Sequence, residues 1–168
     1  IQRYDRDGRS TTDGRNGSAT AGFRHVVEPS RDEWTIEYQQ TGTRNGSATR
    51  SLERVYVPAD SAGANSVQDG VTGYAERALQ ADATFPLGRQ GKLEVGYDGT
   101  DRRNTSATTL DYLLPGGGPA AFPPADTSDW RFREVFHSGY VTASRTVGRA
   151  SLQLGARAEG ARTTLDVD

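Results

Sequence analysis

From residue 152 to residue 159 the chain reads Leu-Gln-Leu-Gly-Ala-Arg-Ala-Glu. Leu152, Leu154, Ala156 and Ala158 fall on one side of this segment, and Gln153, Gly155, Arg157 and Glu159 fall on the other. A period of two belongs to an extended strand whose faces meet different surroundings, and a helix of period 3.6 cannot carry it. Val135, Gly139, Val141 and Ala143 keep the same beat upstream. Between the two segments Thr146-Val147-Gly148-Arg149 forms a short, glycine-containing reversal, so the pair reads as one long antiparallel hairpin.

Composition decides what such a hairpin can belong to. Only 33% of the 168 residues are hydrophobic, 20 are Gly and none is Met, and the mean hydropathy is -0.73. That is thin for an enclosed core, yet the regular alternation and a net charge of -2 argue against disorder. A barrel wall around water resolves the conflict, because it needs apolar residues only where it faces lipid. No apolar run approaches the ~18 residues of a transmembrane helix, which leaves open a transmembrane strand of roughly 9–11 residues. Twenty Lys and Arg against 22 Asp and Glu give no basic stripe, so nucleic acid is not an expected partner. The first residue is Ile1 and no signal peptide precedes it, so the chain is expected to be one partial barrel domain, residues 1–168, cut at both ends.

Residues 1–16 are charged and glycine-rich and fit an outside loop or the polar upper end of a strand. Ala19, Ala21, Phe23 and His25 then alternate weakly, and residues 28–32 carry turn chemistry. In the next strand Trp34, Ile36 and Tyr38 share a face, with an aromatic at its start as a membrane-interface girdle requires. A third strand places Ala75, Leu79, Ala81, Ala83, Phe85 and Leu87 together, interrupted by Arg77, and Gly88-Arg89-Gln90-Gly91 turns the chain. In the fourth, Leu93, Val95 and Tyr97 face out while Glu94 and Asp98 face in. Residues 115–129 are a loop rich in Pro and Gly. Short turns at 28–32, 88–91 and 146–149 thus alternate with long connections near 58–70 and 115–129, the rhythm of an up-and-down membrane barrel.

The expected membrane-facing residues are Trp34, Ile36, Tyr38, Leu79, Phe85, Leu93, Val95, Val141, Leu152 and Leu154. The expected lumen-facing residues are Glu94, Asp98, Glu134, Arg157 and Glu159. An ion pair of Arg157 or Glu159 with Glu134 or its neighbours is the structural alternative to a ligand contact. No catalytic, cofactor or metal site is expected. The two histidines, His25 and His137, belong to opposite ends of the chain, there is no Cys, and no G-x-S-x-G accompanies Ser138. Gly116-Gly117-Gly118 is followed by no helix and is not a phosphate cradle. The hexapeptide pattern R-N-x-S-A-T recurs at residues 15–20, 44–49 and 103–108, and reads as chance or drift.

The run from Glu134 to Glu159 resembles the barrel hairpin of TonB-dependent receptors, in which a small-small-Tyr strand, a Gly turn and a G-x-R-x-E strand follow one another. Here those positions are Ser138-Gly139-Tyr140, Gly148, and Gly155, Arg157 and Glu159. The resemblance covers about thirty residues closely and the rest by strand rhythm, and it lacks the plug domain, the energy-coupling box and the closing strand. It implies an all-β fold: an antiparallel up-and-down meander of about six long strands, an incomplete section of a transmembrane barrel. It also implies energy-coupled uptake of a nutrient ligand (a metal chelate, cofactor or glycan). The implied partners are outer-membrane lipid, the protein's own plug domain and an inner-membrane energy-coupling complex. Asn45-Gly46 tests the picture. It is a hairpin signal that would set Ile36 against Val55 and Trp34 against Val57, whereas the resemblance favours one strand continuing through it. Two other architectures fit the length. Turns at both Asn-Gly sites would make a small eight-stranded barrel, an anchor or a hydrolase. A soluble β-sandwich adhesin would instead bury Leu79, Phe85, Leu152 and Leu154 in one core.

Overall fold

In the computed structural model, which describes residues 3–28, 32–57, 65–114 and 126–168, six strands form one antiparallel sheet in sequence order. They are β1 (Arg3–Glu28), β2 (Asp32–Val57), β3 (Asn65–Pro86), β4 (Gly91–Leu113), β5 (Asp126–Val147) and β6 (Ala150–Val167). Each strand pairs only with its sequence neighbours, so β1 and β6 leave two open edges among the described residues. No helix among these residues is long and apolar enough to cross a membrane.

Strand length is the first consequence of the pairing. The strands run from 18 to 26 residues, and at about 3.3 Å per residue the longest extend ~85 Å, more than twice what a bilayer crossing needs. Apolar content does not sustain them over that distance. Continuous ladder pairing does, from Tyr4 opposite Val55 down to Val26 opposite Glu33, with register shifts only between Arg3 and Tyr4 and between Val26 and Glu28.

The ladder settles the Asn-Gly question. Asn45 lies opposite Gly14 on one side and Thr72 on the other, inside β2. Asn16 is likewise paired inside β1. Ile36 therefore faces Phe23 and Ala81, and Trp34 faces His25 and Ala83, in place of Val55 and Val57. Six strands result among the described residues, and neither Asn-Gly site turns the chain as the eight-strand arrangement requires.

The expected long connections are shorter than their composition suggested. Residues 65–70 and 126–129 belong to β3 and β5, and the remaining parts, 58–64 and 115–125, lie outside the described residues, as do 29–31 of the first turn. Polar, Ser/Thr/Gly-rich segments looked like loops because their strand character comes from neighbours in the sheet and not from their own alternation. At the tight turns Gly88 and Gly148 adopt φ of 67° and 64°, the left-handed region that glycine enters without steric cost. Gly148 and Arg149 alone join Val147 to Ala150, so the last turn is a two-residue loop.

No hydrophobic side chain is buried among the described residues. Leu79, Phe85, Leu152 and Leu154 are 39%, 43%, 65% and 80% exposed, so they do not meet in the core that a sandwich requires. The sheet is one layer with two open faces.

Candidate functional site

Residues directly opposite one another in an antiparallel ladder share a face, so the register alone assigns every side chain. Trp34, Ala83, Val95, Val141 and Ala156 form one row across five strands. The next rows are Ile36, Ala81, Tyr97, Gly139 and Ala158, then Tyr38, Leu79, Gly99, His137 and Gly160. Phe85, Leu93, Ala143 and Leu154 lie nearer the tight turns, with Leu152 beside them. All ten expected membrane-facing residues therefore lie on one face, in one continuous belt. Within it Ala81 and Ala83, flanked by the larger Trp34, Ile36, Val95 and Tyr97, leave an open apolar trough of ≈ 570 Å³.

Aromatic groups stand within this belt and at its margin; Trp34, expected at the interface, occupies the middle row, opposite Ala83. The Trp34 ring lies 5.1 Å from Phe23 and 5.7 Å from His25. Tyr97 leans along its own strand over Gly99, where a Cβ would stand 2.5 Å from the phenol oxygen. Its hydroxyl then meets His137 Nδ1 on β5 at 2.7 Å. His137 is thus an amphipathic residue at the belt's margin, on the opposite face from its neighbour Ser138.

The five expected lumen-facing residues share the other face. Glu94 opposes Thr84 and Thr142, Asp98 opposes Gln80 and Ser138, and Glu134 opposes Arg102. Arg157 opposes Tyr140, and Glu159 opposes Ser138. Their partners differ from expectation. Arg157 bonds Glu159 on its own strand and reaches Ser138 Oγ at 3.4 Å. It does not meet Glu134, because Tyr140, its ladder partner, is six residues, roughly 20 Å, along β5 from Glu134. Glu134 lies 3.8 Å from Arg102 instead. Glu94 pairs with Lys92 at 2.7 Å.

Two clusters on this face were missed because each is assembled across strands. In the first, the Tyr140 ring crosses β4 above Gly96 and its hydroxyl donates to Asp82 Oδ1 on β3 at 2.8 Å. A Cβ at Gly96 would come within 2.0 Å of that ring, so only glycine leaves the passage open. The signal was present as a glycine inside a strand, which marks close approach of a neighbour. In the second cluster, beyond the belt, Arg102 Nε donates to Glu76 Oε2 at 2.7 Å and Tyr74 donates its hydroxyl to the same carboxylate. Those two hydrogen bonds hold the Glu76 carboxyl below the usual range, and the same carboxylate raises the Tyr74 phenol.

The polarity of the faces exchanges beyond the belt. There the belt face carries Arg77, Asp101, Arg103 and Arg133, while Phe136, Phe132, Trp130 and Leu165 stand on the face that bears Arg157 and Glu159. Asp101 accepts from Arg133 Nε at 3.0 Å and Arg133 Nη2 at 2.9 Å, and pairs with Arg103 at 3.3 Å. Hydrogen bonds from Arg133 hold the Asp101 carboxyl below its usual range. The sheet therefore behaves as though hydrocarbon covers one face over part of its height only.

A one-layer sheet with an apolar belt, a charged opposite face, no enclosed core and strands longer than a bilayer is thick defines the wall of a transmembrane β-barrel. The model of the Outer membrane protein beta-barrel family matches residues 25–168. The chain belongs to that family, and its place is the outer membrane. No curated protein matches the chain. Among the described residues no group of three or more His, Cys, Asp or Glu is arranged to hold a metal ion.

Proposed function

We propose that this sheet is one sector of the barrel of a TonB-dependent receptor, which binds a scarce nutrient at the cell surface and passes it inward with energy from an inner-membrane complex. The observation that carries the reading is strand height. A barrel that only anchors or only crosses the bilayer needs strands of about ten residues, whereas β1 and β2 have 26 each. The extra height makes a tall vestibule on the side opposite the tight turns, which in bacterial barrels is the extracellular side. Two open edges are consistent with further strands completing a wider barrel.

The face bearing Glu94, Asp98, Glu134, Arg157 and Glu159 would line the lumen. Its ion pairs, each within a strand or between adjacent strands, brace the wall, and Asp98 stands without an ion pair among the described residues, accessible to a plug or ligand. The proposed role is non-catalytic; His137 and Ser138 point to opposite faces and His137 is engaged by Tyr97, so these two do not act as a Ser-His pair. The test is ligand uptake by cells carrying the full-length protein, with surface binding and internalisation measured separately. Binding that persists while a protonophore abolishes internalisation supports the receptor. Internalisation that survives the protonophore would mean a passive pore.

A further inference from the structure

Farther from the tight turns than the row in which Arg102 meets Glu76 and Glu134, the lumen-side face changes character. Three successive rows of this face carry no charged side chain among the described residues. Thr12, Gly14 and Asn16 mark their heights on β1, and at about 2.5 Å of rise per residue the rows span roughly 10 Å. Composition does not explain the gap, since 25% of the chain is charged. At the same height the other face of these strands bears Asp13, Arg15, Arg44, Asp129, Arg131 and Arg133. Neutrality belongs to the inward side alone.

The side chains of these rows sort into two fields. On β1 to β4 they are chiefly hydroxyls and carboxamides, and the R-N-x-S-A-T recurrence is one source of them, because its Asn, Ser and Thr all fall on the inward face. Asn45 shares a row with Thr72 and Ser106, and Ser47 shares the next with Gly70 and Thr108. Gly70 lets two hydroxyls lean over β3 from either side: a Cβ there would stand 3.0 Å from Ser47 Oγ and 3.9 Å from Thr108 Oγ1. Among the described residues no side-chain hydrogen bond engages Asn45, Ser47, Thr72, Ser106 or Thr108, so their donors and acceptors are open to a ligand. On β5 and β6 the same rows hold Phe132 and Trp130 beside Leu165 and Val167. Trp130 is directly opposite Ser106, and Phe132 directly opposite Asn104. An exposed apolar patch on the side away from hydrocarbon marks a binding surface.

We infer that this surface binds a neutral oligosaccharide. A sugar ring has a flat C–H face and a rim of hydroxyls. The face stacks on the rings of Trp130 and Phe132, and the hydroxyls, each donor and acceptor at once, meet Ser, Thr and Asn groups of the same double capacity. A carboxylated chelate or a phosphorylated ligand would call for cationic partners, and these rows offer none among the described residues. Trp130 and Asn45 are three strands apart, about 14 Å at roughly 4.8 Å per strand, so a ligand that touches both is longer than one sugar ring. The inference rests on the receptor reading, in which this face lines the vestibule, and it narrows the nutrient to one chemical class.

The test is calorimetric titration of the full-length protein in detergent with neutral hexasaccharides of glucose, mannose, xylose and galactose, set against hexagalacturonate and ferric citrate as charged probes. A neutral hexasaccharide binds, and both charged probes bind more weakly or not at all. Trp130 is 38% exposed, so its ring can be removed without opening a core. Trp130→Ala lowers the affinity on the order of tenfold or more, Trp130→Phe keeps most of it, and Asn45→Ala lowers it about fivefold. Tighter binding of either charged probe overturns the inference, as does failure of every neutral hexasaccharide, or binding that ignores both Ala substitutions. Those failures leave energy-coupled uptake standing. Uptake of the bound hexasaccharide that survives a protonophore does the reverse: it removes the receptor and keeps the ligand class.

Discussion

Ala83 and Thr84 are neighbours on β3 whose side chains point to opposite faces, and an arginine at each separates hydrocarbon from water. Ala83 is midway between Leu79 and Leu87, four residues from either, or about 10 Å along the membrane normal at 2.5 Å per residue. That depth is close to the bilayer midplane, where an arginine on a lipid-facing barrel site costs about 2–4 kcal/mol. Trp34 and Val95 lie directly opposite and offer the new charge no partner. Ala83→Arg should therefore shift the folding equilibrium by roughly 30- to 1,000-fold toward the unfolded chain, at ~1.4 kcal/mol per tenfold. Thr84 is flanked across the ladder by Glu33 and Glu94. Thr84→Arg places its charge between two carboxylates and should change stability by under ~1 kcal/mol, in either direction. The assay is reversible denaturant titration of the full-length protein in lipid vesicles, read by tryptophan fluorescence. Equal costs at the two sites, or a larger cost at Thr84, would refute the assignment of the apolar face to lipid and with it the barrel-wall reading.

Two further outcomes follow from the charged and polar clusters. Gly96→Ala drives a methyl into the Tyr140 ring and breaks its bond to Asp82, so it should cost about 1–3 kcal/mol. In a Tyr140→Ala background the same change should be nearly neutral, and a double-mutant cycle showing no coupling would mean the ring is not seated over Gly96. Asp101 has a carboxyl held low in the folded state, chiefly by Arg133 and then by Arg103. A lowered folded value stabilises at pH above the usual carboxylate range, and that contribution disappears as pH falls through the lowered value. Denaturant midpoints should therefore decline more steeply on acidification below that range in wild type than in Asp101→Asn, and parallel acid limbs would show that the clamp carries no linkage.

Much of this architecture was written in local pattern. The alternation of Leu152 to Glu159 and of Leu93 to Asp98 already divides these residues into the two sets that the ladder places on opposite faces, because parity along a strand needs no knowledge of its neighbours. Gly88 and Gly148 marked tight turns for an equally local reason, a backbone conformation that other residues resist. Polar stretches defeated the same reasoning. Around Asn45 and Asp126 no alternation between apolar and polar residues survives, and what keeps the chain extended is a ladder of backbone bonds to strands tens of residues away.

Cross-strand register was the quantity that no single segment contained. It set Arg15 against Arg44, brought Tyr140 over Gly96 to Asp82, and paired Glu134 with Arg102 in place of Arg157. Sequence alone determined which way each side chain points, since that depends on a two-residue period. Only the assembled sheet decided which side chains meet, since that depends on how far each strand slides past the next.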